Sequence, residues 1–362
     1  MHTITPDALV AVLDDPGKVV VLDVREPSEF EQWRIPGSLN VPLGELEARL
    51  DEVPTGREIV TVCAVGARAS KAAESLGAKG FDVAVLEGGM SGWASVYDDV
   101  EDHVGAATVV QVRRRGKGCL SYLVGAGSTA VSIDPSADIE QYLHRAAARG
   151  WTLTHVFDTH LHADHVSGAR ALAASTGAAL VLNPADRFEF EFQPLSDGME
   201  VHVGDGVSIT VVTIPTPGHT MGSTCYLLGE SAIFTGDTLF LESVGRPDLA
   251  DRAEEFAREL YASLHDRVLS LPDDVVVYPA HYGDVVEVHA GASVSAPLGV
   301  LADSLWQLRC EEDEFVAWTL ASVKDRPPNY AAIVRANQGE GELDAAERRG
   351  LEEGPNRCAV AG

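Results

Sequence analysis

The 362 residues are 45% hydrophobic and 23% charged, enough apolar material for two ordinary domains or one large one and too much for wholesale disorder. The 27 basic and 55 acidic residues leave a formal charge of −28, a surface that repels phosphate backbones and anionic lipid heads and argues against nucleic-acid and membrane partners. No apolar run reaches the roughly eighteen residues of a membrane span. The start, Met1 to Asp7, lacks a basic, then apolar leader. The five scattered cysteines (Cys63, Cys119, Cys225, Cys310, Cys358) read as reduced thiols. A cytoplasmic location is the expectation, and a homo-oligomer is compatible with it.

Residues 1–97 alternate strand and helix patterns. Val19 to Val24 and Ile59 to Val62 are continuous apolar runs typical of parallel strands buried on both faces. Pro27 opens a short helical stretch through Trp33, Ala67 to Ala78 is helix-prone, and Val83 to Leu86 makes a further strand before Gly88-Gly89. The expectation is a small α/β domain with a parallel sheet. Residues 98–105 are acidic and unpatterned and read as a linker. Arg113-Arg114-Arg115 with Lys117 reads as a solvated hairpin edge.

From residue 106 the texture is β-rich. Strand patterns fall at Thr108 to Val112, Leu120 to Val124, Ala130 to Ile133, Val207 to Ile214, Thr224 to Leu228 and Ala232 to Phe234. Helical ones fall at Ile139 to Arg149, Ser167 to Thr176 and Ala253 to Leu264. This predicts a layered sandwich with helices outside. The second domain is expected over 106–337 with a C-terminal helical extension, and 338–362, rich in Gly and Glu, as a flexible tail.

Two segments carry chemistry. In Cys63-Ala64-Val65-Gly66-Ala67-Arg68 the cysteine ends a buried strand and faces the start of the next helix. Backbone N–H groups and the helix dipole favour an anion there, Gly66 lets the backbone curl inward, and Arg68 adds a positive charge. The setting suits a thiolate or a persulfide anion. The competing reading is a buried structural cysteine with Arg68 paired to a surface carboxylate.

Five of the twelve histidines fall in short turn-like segments. His160 and His162, two apart in an extended loop, point the same way and are expected to converge on one metal, and Asp164 and His165 follow where a helix starts. Thr216-Pro217-Gly218-His219, Thr235-Gly236-Asp237 and Pro279-Ala280-His281 each present one more donor after a strand. Imidazoles and carboxylates are the donor set of zinc or ferrous iron.

Residues 1 to about 97 resemble a single rhodanese domain. The resemblance rests on Asp23-Val24-Arg25-Glu26, Arg34-Ile35-Pro36-Gly37-Ser38-Leu39-Asn40-Val41-Pro42, Cys63 to Arg68, Gly88-Gly89 and Gly92-Trp93, with Arg34 where many relatives have histidine. It implies an α/β fold with helices on both faces of a parallel sheet. It also implies sulfur transfer through a persulfide on Cys63, with the loop amides, Gly66 among them, cradling the outer sulfur.

From about 106 to 290 the chain resembles the metallo-β-lactamase fold, an αββα sandwich. The match begins at Ser132-Ile133-Asp134-Pro135 and carries H-x-H-x-D-H, His219, Asp237 and His281. Gly245-Arg246-Pro247-Asp248, Arg326-Pro327-Pro328-Asn329-Tyr330 and the rhodanese fusion are similar to persulfide dioxygenases. That resemblance implies one iron per chain on His160, His219 and Asp237, with His162, Asp164, His165 and His281 around it. It implies oxidation of a small thiol persulfide by O₂ to sulfite and thiol, alongside sulfite/thiosulfate exchange at Cys63. Arg246 is assigned to the carrier's carboxylate, or else to a salt bridge with Asp248. Tyr282 is a second carrier contact, in a Tyr282-Gly283-Asp284 segment that departs from the acidic or aromatic pair usual there.

The alternative is a glyoxalase II-like hydrolase with two zinc ions per chain, Asp237 bridging them and the remaining residues completing the second site. A sulfide-responsive binding module is a third reading, opposed by the intact Cys63 and the full donor set.

Overall fold

Apolar runs without alternation must be covered on both faces, and the N-terminal strands are. Val19–Asp23 and Glu58–Val62 pair in parallel, Val21 against Val60. They lie in a five-stranded sheet ordered His2–Ile4, Val83–Leu86, Glu58–Val62, Val19–Asp23, Leu39–Asn40, parallel throughout. Leu22 and Ile59 pack on Ala69, Ala72 and Leu76 of the helix Ala67–Ala78. On the other face Val21, Val60 and Leu86 pack on Leu9 and Trp93.

The protein is described by a computed structural model covering residues 2–13, 15, 17–204, 209–247, 252–283, 286, 288–289, 291–322, 326, 329–341, 343–352 and 354. Val207, Asp248, Asp284, Pro327, Pro328 and Cys358 from the sequence reading lie outside these residues. The chain divides into two compact units, one reaching Asp98 and including Arg114–Gly118, the other built from Asp99–Arg113 and Cys119–Glu352.

The second unit is a sandwich of a seven-stranded and a six-stranded sheet. The first sheet runs Gln193–Pro194, Ala179–Leu182, Thr152–Phe157, Thr129–Ile133, Cys119–Ala126, Ala107–Arg114, Tyr97–Val104. The second runs Glu200–Val203, Ile209–Pro215, Thr224–Leu228, Ala232–Gly236, Val276–Pro279, Ala296–Pro297. Leu120, Tyr122, Ile133 and Phe157 of one sheet meet Val211, Tyr226, Phe234 and Tyr278 of the other in a shared core. Outside the second sheet, Ile233 and Val277 pack on Leu260, Leu301 and Phe315 of the helices Ala253–Ala262, Leu298–Ser304 and Glu312–Ser322. Helices Glu140–Ala148 and Ala169–Thr176 flank the first sheet's strands in sequence. The parallel α/β and αββα expectations both hold. Among the described residues no helix is long and apolar enough to cross a membrane.

Three local expectations are corrected. The acidic stretch expected as a linker at 98–105 is mostly the edge strand Tyr97–Val104. Its charges are held by partners rather than repelled: Asp99 pairs with Arg145, Glu101 with Arg149, and Asp102 accepts from the Tyr278 hydroxyl at 2.8 Å.

The basic hairpin is not solvated, because Arg113, Arg114 and Lys117 are buried. Arg113 donates to the carbonyls of His289 and Ala292, and Arg114 to that of Ala94. The presumed tail holds a helix, Ala345–Glu352, whose last side chain is buried. Its sequence is too polar to announce itself, and tertiary hydrogen bonds hold it.

Candidate active sites

Cys63 leaves the strand Glu58–Val62 and sits, buried, against the first turn of Ala67–Ala78. The amides of Gly66 and Ala69 donate to its sulfur at 3.2 and 3.4 Å, and Gly66 makes the turn with φ of +108°. The cradle is closed behind by Met90 and Ser91, whose amides donate to the carbonyls of Cys63 and Ala64. Arg68 faces the Cys63 thiol but is held by Glu29 in a two-pronged pair at 2.7 Å on both contacts. The hydrogen bond from Arg68 lowers the Glu29 carboxyl to about 2. Asp23, Arg25 and Asn40 are scaffold: Arg25 pairs with Asp23 and donates to the Trp33 carbonyl, and Asn40 donates to the carbonyls of Asp23 and Arg25.

In the second unit the donors converge at one end of the sandwich. The loop after Thr152–Phe157 brings His160, the turn after Ile209–Pro215 brings His219, and the end of Ala232–Gly236 brings Asp237. Gly236 has φ of +54°, and a Cβ there would lie 2.4 Å from Thr159 Oγ1, so the aspartate strand closes directly on the histidine loop. His160 Nδ1 contacts Thr159 Oγ1 at 2.9 Å, and His219 Nδ1 donates to the Arg246 carbonyl at 2.8 Å. Both rings thereby aim Nε2 at Asp237 Oδ2, at 3.6 and 3.4 Å. These three atoms are buried and have no hydrogen-bond partner.

A second cluster shares the aspartate. His281 contacts Asp237 Oδ1 through Nδ1 at 2.6 Å and Asp164 Oδ2 through Nε2 at 2.9 Å. His165 Nδ1 lies 3.1 Å from Asp164 Oδ1, and the Cys119 thiol donates to Asp164 Oδ2 at 3.4 Å. His162 departs from the simple picture of two rings on one metal. Its ring is 4.2 Å from that of His160, but Nε2 is committed to Asp134 at 3.1 Å, while Nδ1 is buried without a partner.

The two clusters differ in charge. Burial, with His162 adding to it, holds His160 well below the usual imidazole range, and burial also lowers His219, so both are neutral donors. Burial would raise Asp237, but His281 and His160 hold it well below the usual carboxylate range. For His281 burial opposes protonation, and Asp237 and Asp164 overcome it and raise the ring well above its usual value. Asp164 likewise outweighs burial at His165, pushed up to about 9.

Residues 5–96 match the rhodanese-like domain and residues 114–281 the metallo-beta-lactamase superfamily. The chain is 32% identical over 219 residues to a hydroxyacylglutathione hydrolase of Nitrosococcus oceani, spanning 59% of this chain and 75% of that protein. The chain belongs to the metallo-beta-lactamase superfamily. A second relative, the mitochondrial persulfide dioxygenase ETHE1 of Mus musculus, is 32% identical over 191 residues, 49% of this chain and 69% of its own. The crystal structure of ETHE1 from Myxococcus xanthus superposes with a TM-score of 0.55 at 30% identity, over 68% of this chain and 100% of that one. The protein is thus an enzyme of this superfamily carrying an N-terminal rhodanese-like domain.

The residues present fit the superfamily's metal. Three buried, partnerless atoms on two neutral imidazoles and a carboxylate, within 4.8 Å of one another, are a donor set whose polarity is otherwise uncompensated. Of the other sequence-assigned residues, Arg246 is buried and serves His219 through its carbonyl, and Tyr282 is half-buried beside His281.

Several residues escaped the sequence reading. Asp186 accepts from Leu161 N, Gly222 N and Thr220 Oγ1, tying the His160 loop to the His219 turn. Asp134, seen only as a strand end, accepts from Thr159 N and Oγ1 and meets His162. Cys119 lies in a buried strand with no flanking pattern. Asp186 and Cys119 had no local signal, since each acts on a loop far away in sequence.

Proposed function

We propose that this enzyme oxidises a low-molecular-weight thiol persulfide with O₂ at a single ferrous ion, and that Cys63 moves sulfane sulfur to or from the same small thiols. One persulfide, one O₂ and one water yield one thiol, one sulfite and two protons. The observation that carries the reading is the trio His160 Nε2, His219 Nε2 and Asp237 Oδ2, buried and without a hydrogen-bond partner, while both carboxylate oxygens of Asp164 and both ring nitrogens of His281 are hydrogen-bonded within the protein. Two imidazoles and one carboxylate are the facial donor set of mononuclear iron oxygenases. Ferrous iron held there would supply a Lewis-acidic, redox-active centre with open positions for thiolate sulfur and O₂.

The chain's own residues do the rest. The Arg246 carbonyl sets the His219 tautomer, and His281 anchors one oxygen of Asp237 and stores a proton beside it. Arg246 and Tyr282 are assigned to the thiol carrier, the guanidinium to a carboxylate. At Cys63, thiosulfate attacked by the thiolate would release sulfite and leave the persulfide in the cradle of Gly66 and Ala69 amides. A thiol would then take the outer sulfur and restore the thiolate. These reactions belong to sulfide and thiosulfate metabolism, with no nucleic acid or membrane involved.

A second reading, hydrolysis of a thioester by two zinc ions, is favoured by the partnerless Nδ1 of His162 and by the tight grouping of Asp164, His165 and His281. The likeness to the Nitrosococcus oceani hydroxyacylglutathione hydrolase supports it too. Protein purified without oxygen, with iron and zinc counted, decides between them. Oxygen uptake with a thiol persulfide, stoichiometric sulfite and about one iron per chain is expected. An iron-loaded sample without uptake overturns the proposal, and a sample with about two zincs that cleaves a thioester replaces it.

A further inference from the structure

The metal-ligand loop between Thr152–Phe157 and Ala169–Thr176 has no helix or strand to satisfy its backbone; at its end a one-residue bridge joins Ser167 to Ser136, and the Gly168 amide donates to the Pro135 carbonyl. Its first half is held by Asp134, which takes Thr159 N, and by Asp186, which takes Leu161 N. Its second half is held from the far end of the chain. Asn337, in the helix Tyr330–Gln338, donates through Nδ2 to the carbonyls of His162 and His165 at 2.9 and 2.8 Å and accepts from Ser167 N at 2.9 Å. Glu352, ending the helix Ala345–Glu352, accepts from Val166 N at 2.7 Å. Both side chains are buried.

We propose that Asn337 and Glu352 are positioning residues of the metal centre, which makes the C-terminal helices part of the site. Only an amide satisfies two carbonyls and one N–H at once; a carboxylate would set oxygen against oxygen, and an apolar isostere would leave all three unpaired. The two helices are tied to each other, because Asn329 donates to the Leu351 carbonyl at 3.1 Å. The first of them is also anchored to the sandwich unit, its Gln338 carbonyl accepting from Glu189 N at 2.8 Å. What they hold is the segment carrying Asp164. Asp164 holds His281, and His281 holds Asp237, so displacement of the loop passes through two contacts to a metal ligand. The inference rests on the metal centre and not on which reaction it performs.

The test titrates the metal-depleted full-length protein with Co(II), reading affinity and the ligand-field spectrum, with thermal unfolding of the same samples beside it. Asn337→Ala and Glu352→Ala are expected to weaken Co(II) binding by about 10- to 100-fold and alter the spectrum. Glu352→Gln, which keeps an acceptor oxygen for Val166 N, restores both. Wild-type affinity and spectrum in the alanine variants overturn the proposal, whatever happens to their unfolding temperature. Equal loss in Glu352→Gln and Glu352→Ala overturns it as well. If Asn337→Ala does not fold, the Glu352 pair decides alone. Absent persulfide oxidation in the wild type would overturn the proposed reaction and leave these affinities to be read; unchanged affinities would overturn the clamp and leave the reaction standing.

Discussion

His281 joins two carboxylates, contacting Asp237 Oδ1 at 2.6 Å and Asp164 Oδ2 at 2.9 Å from opposite ring nitrogens. The charged ring fixes one oxygen of Asp237 and leaves the other aimed at His160 and His219. A ligand held this way needs no rearrangement when a cation arrives.

Removing the ring should therefore weaken the site without abolishing it. His281→Ala is expected to lower Fe(II) affinity by about 10- to 100-fold, whereas Asp237→Ala retains no iron through a chelating column. Chelator competition on both variants measures this, and equal retention by wild type and His281→Ala would show that the contact does not orient the ligand.

Cys63→Ser should abolish sulfur transfer from thiosulfate and leave oxygen uptake with persulfide at the wild-type rate. A hydroxyl keeps the Gly66 and Ala69 hydrogen bonds but is a far poorer nucleophile than a thiolate. Loss of both activities would refute separable sites.

The pair of Glu29 and Arg68 has a defined pH window. The Glu29 carboxyl lies at about 2 in the folded protein against an ordinary 4.5. Its contribution is therefore complete above pH 4.5 and is lost as pH falls through the folded value. Both side chains are about a third exposed, so solvent screening limits the gain to about 0.2–1 kcal/mol. Glu29→Gln should be less stable than wild type by that amount at pH 7, with the gap closing toward pH 2. A gap independent of pH would place the effect outside the ion pair.

Gly236→Ala should separate the aspartate strand from the histidine loop. Its added Cβ would fall 2.4 Å from Thr159 Oγ1 at a backbone angle of +54°. A loss of about 1–3 kcal/mol in stability together with loss of bound metal is expected from calorimetry and metal counting. Full metal content would mean the two segments tolerate a wider gap.

Much of this protein was legible along the chain. Val19–Asp23 and Glu58–Val62 declare a parallel sheet because strands buried on both faces are apolar without alternation. Cys63, His160, His219, Asp237 and His281 stand out because each follows a strand at a turn, where local geometry alone presents a side chain. These signals travel within a few residues, so the sequence by itself determined the two fold classes, the thiol loop and the pool of possible metal ligands.

What holds each of these side chains was decided only by the tertiary structure. His162 turns to Asp134, 28 residues away, and Arg68 to Glu29, 39 residues away. The acidic strand Tyr97–Val104 and the polar helix Ala345–Glu352 form because Arg145, Arg149, Tyr278 and the amide of Val166 receive their charges. A hydrogen bond or ion pair across such separations leaves no period or spacing in the sequence, because its geometry exists only once the sheets and helices have brought both ends together.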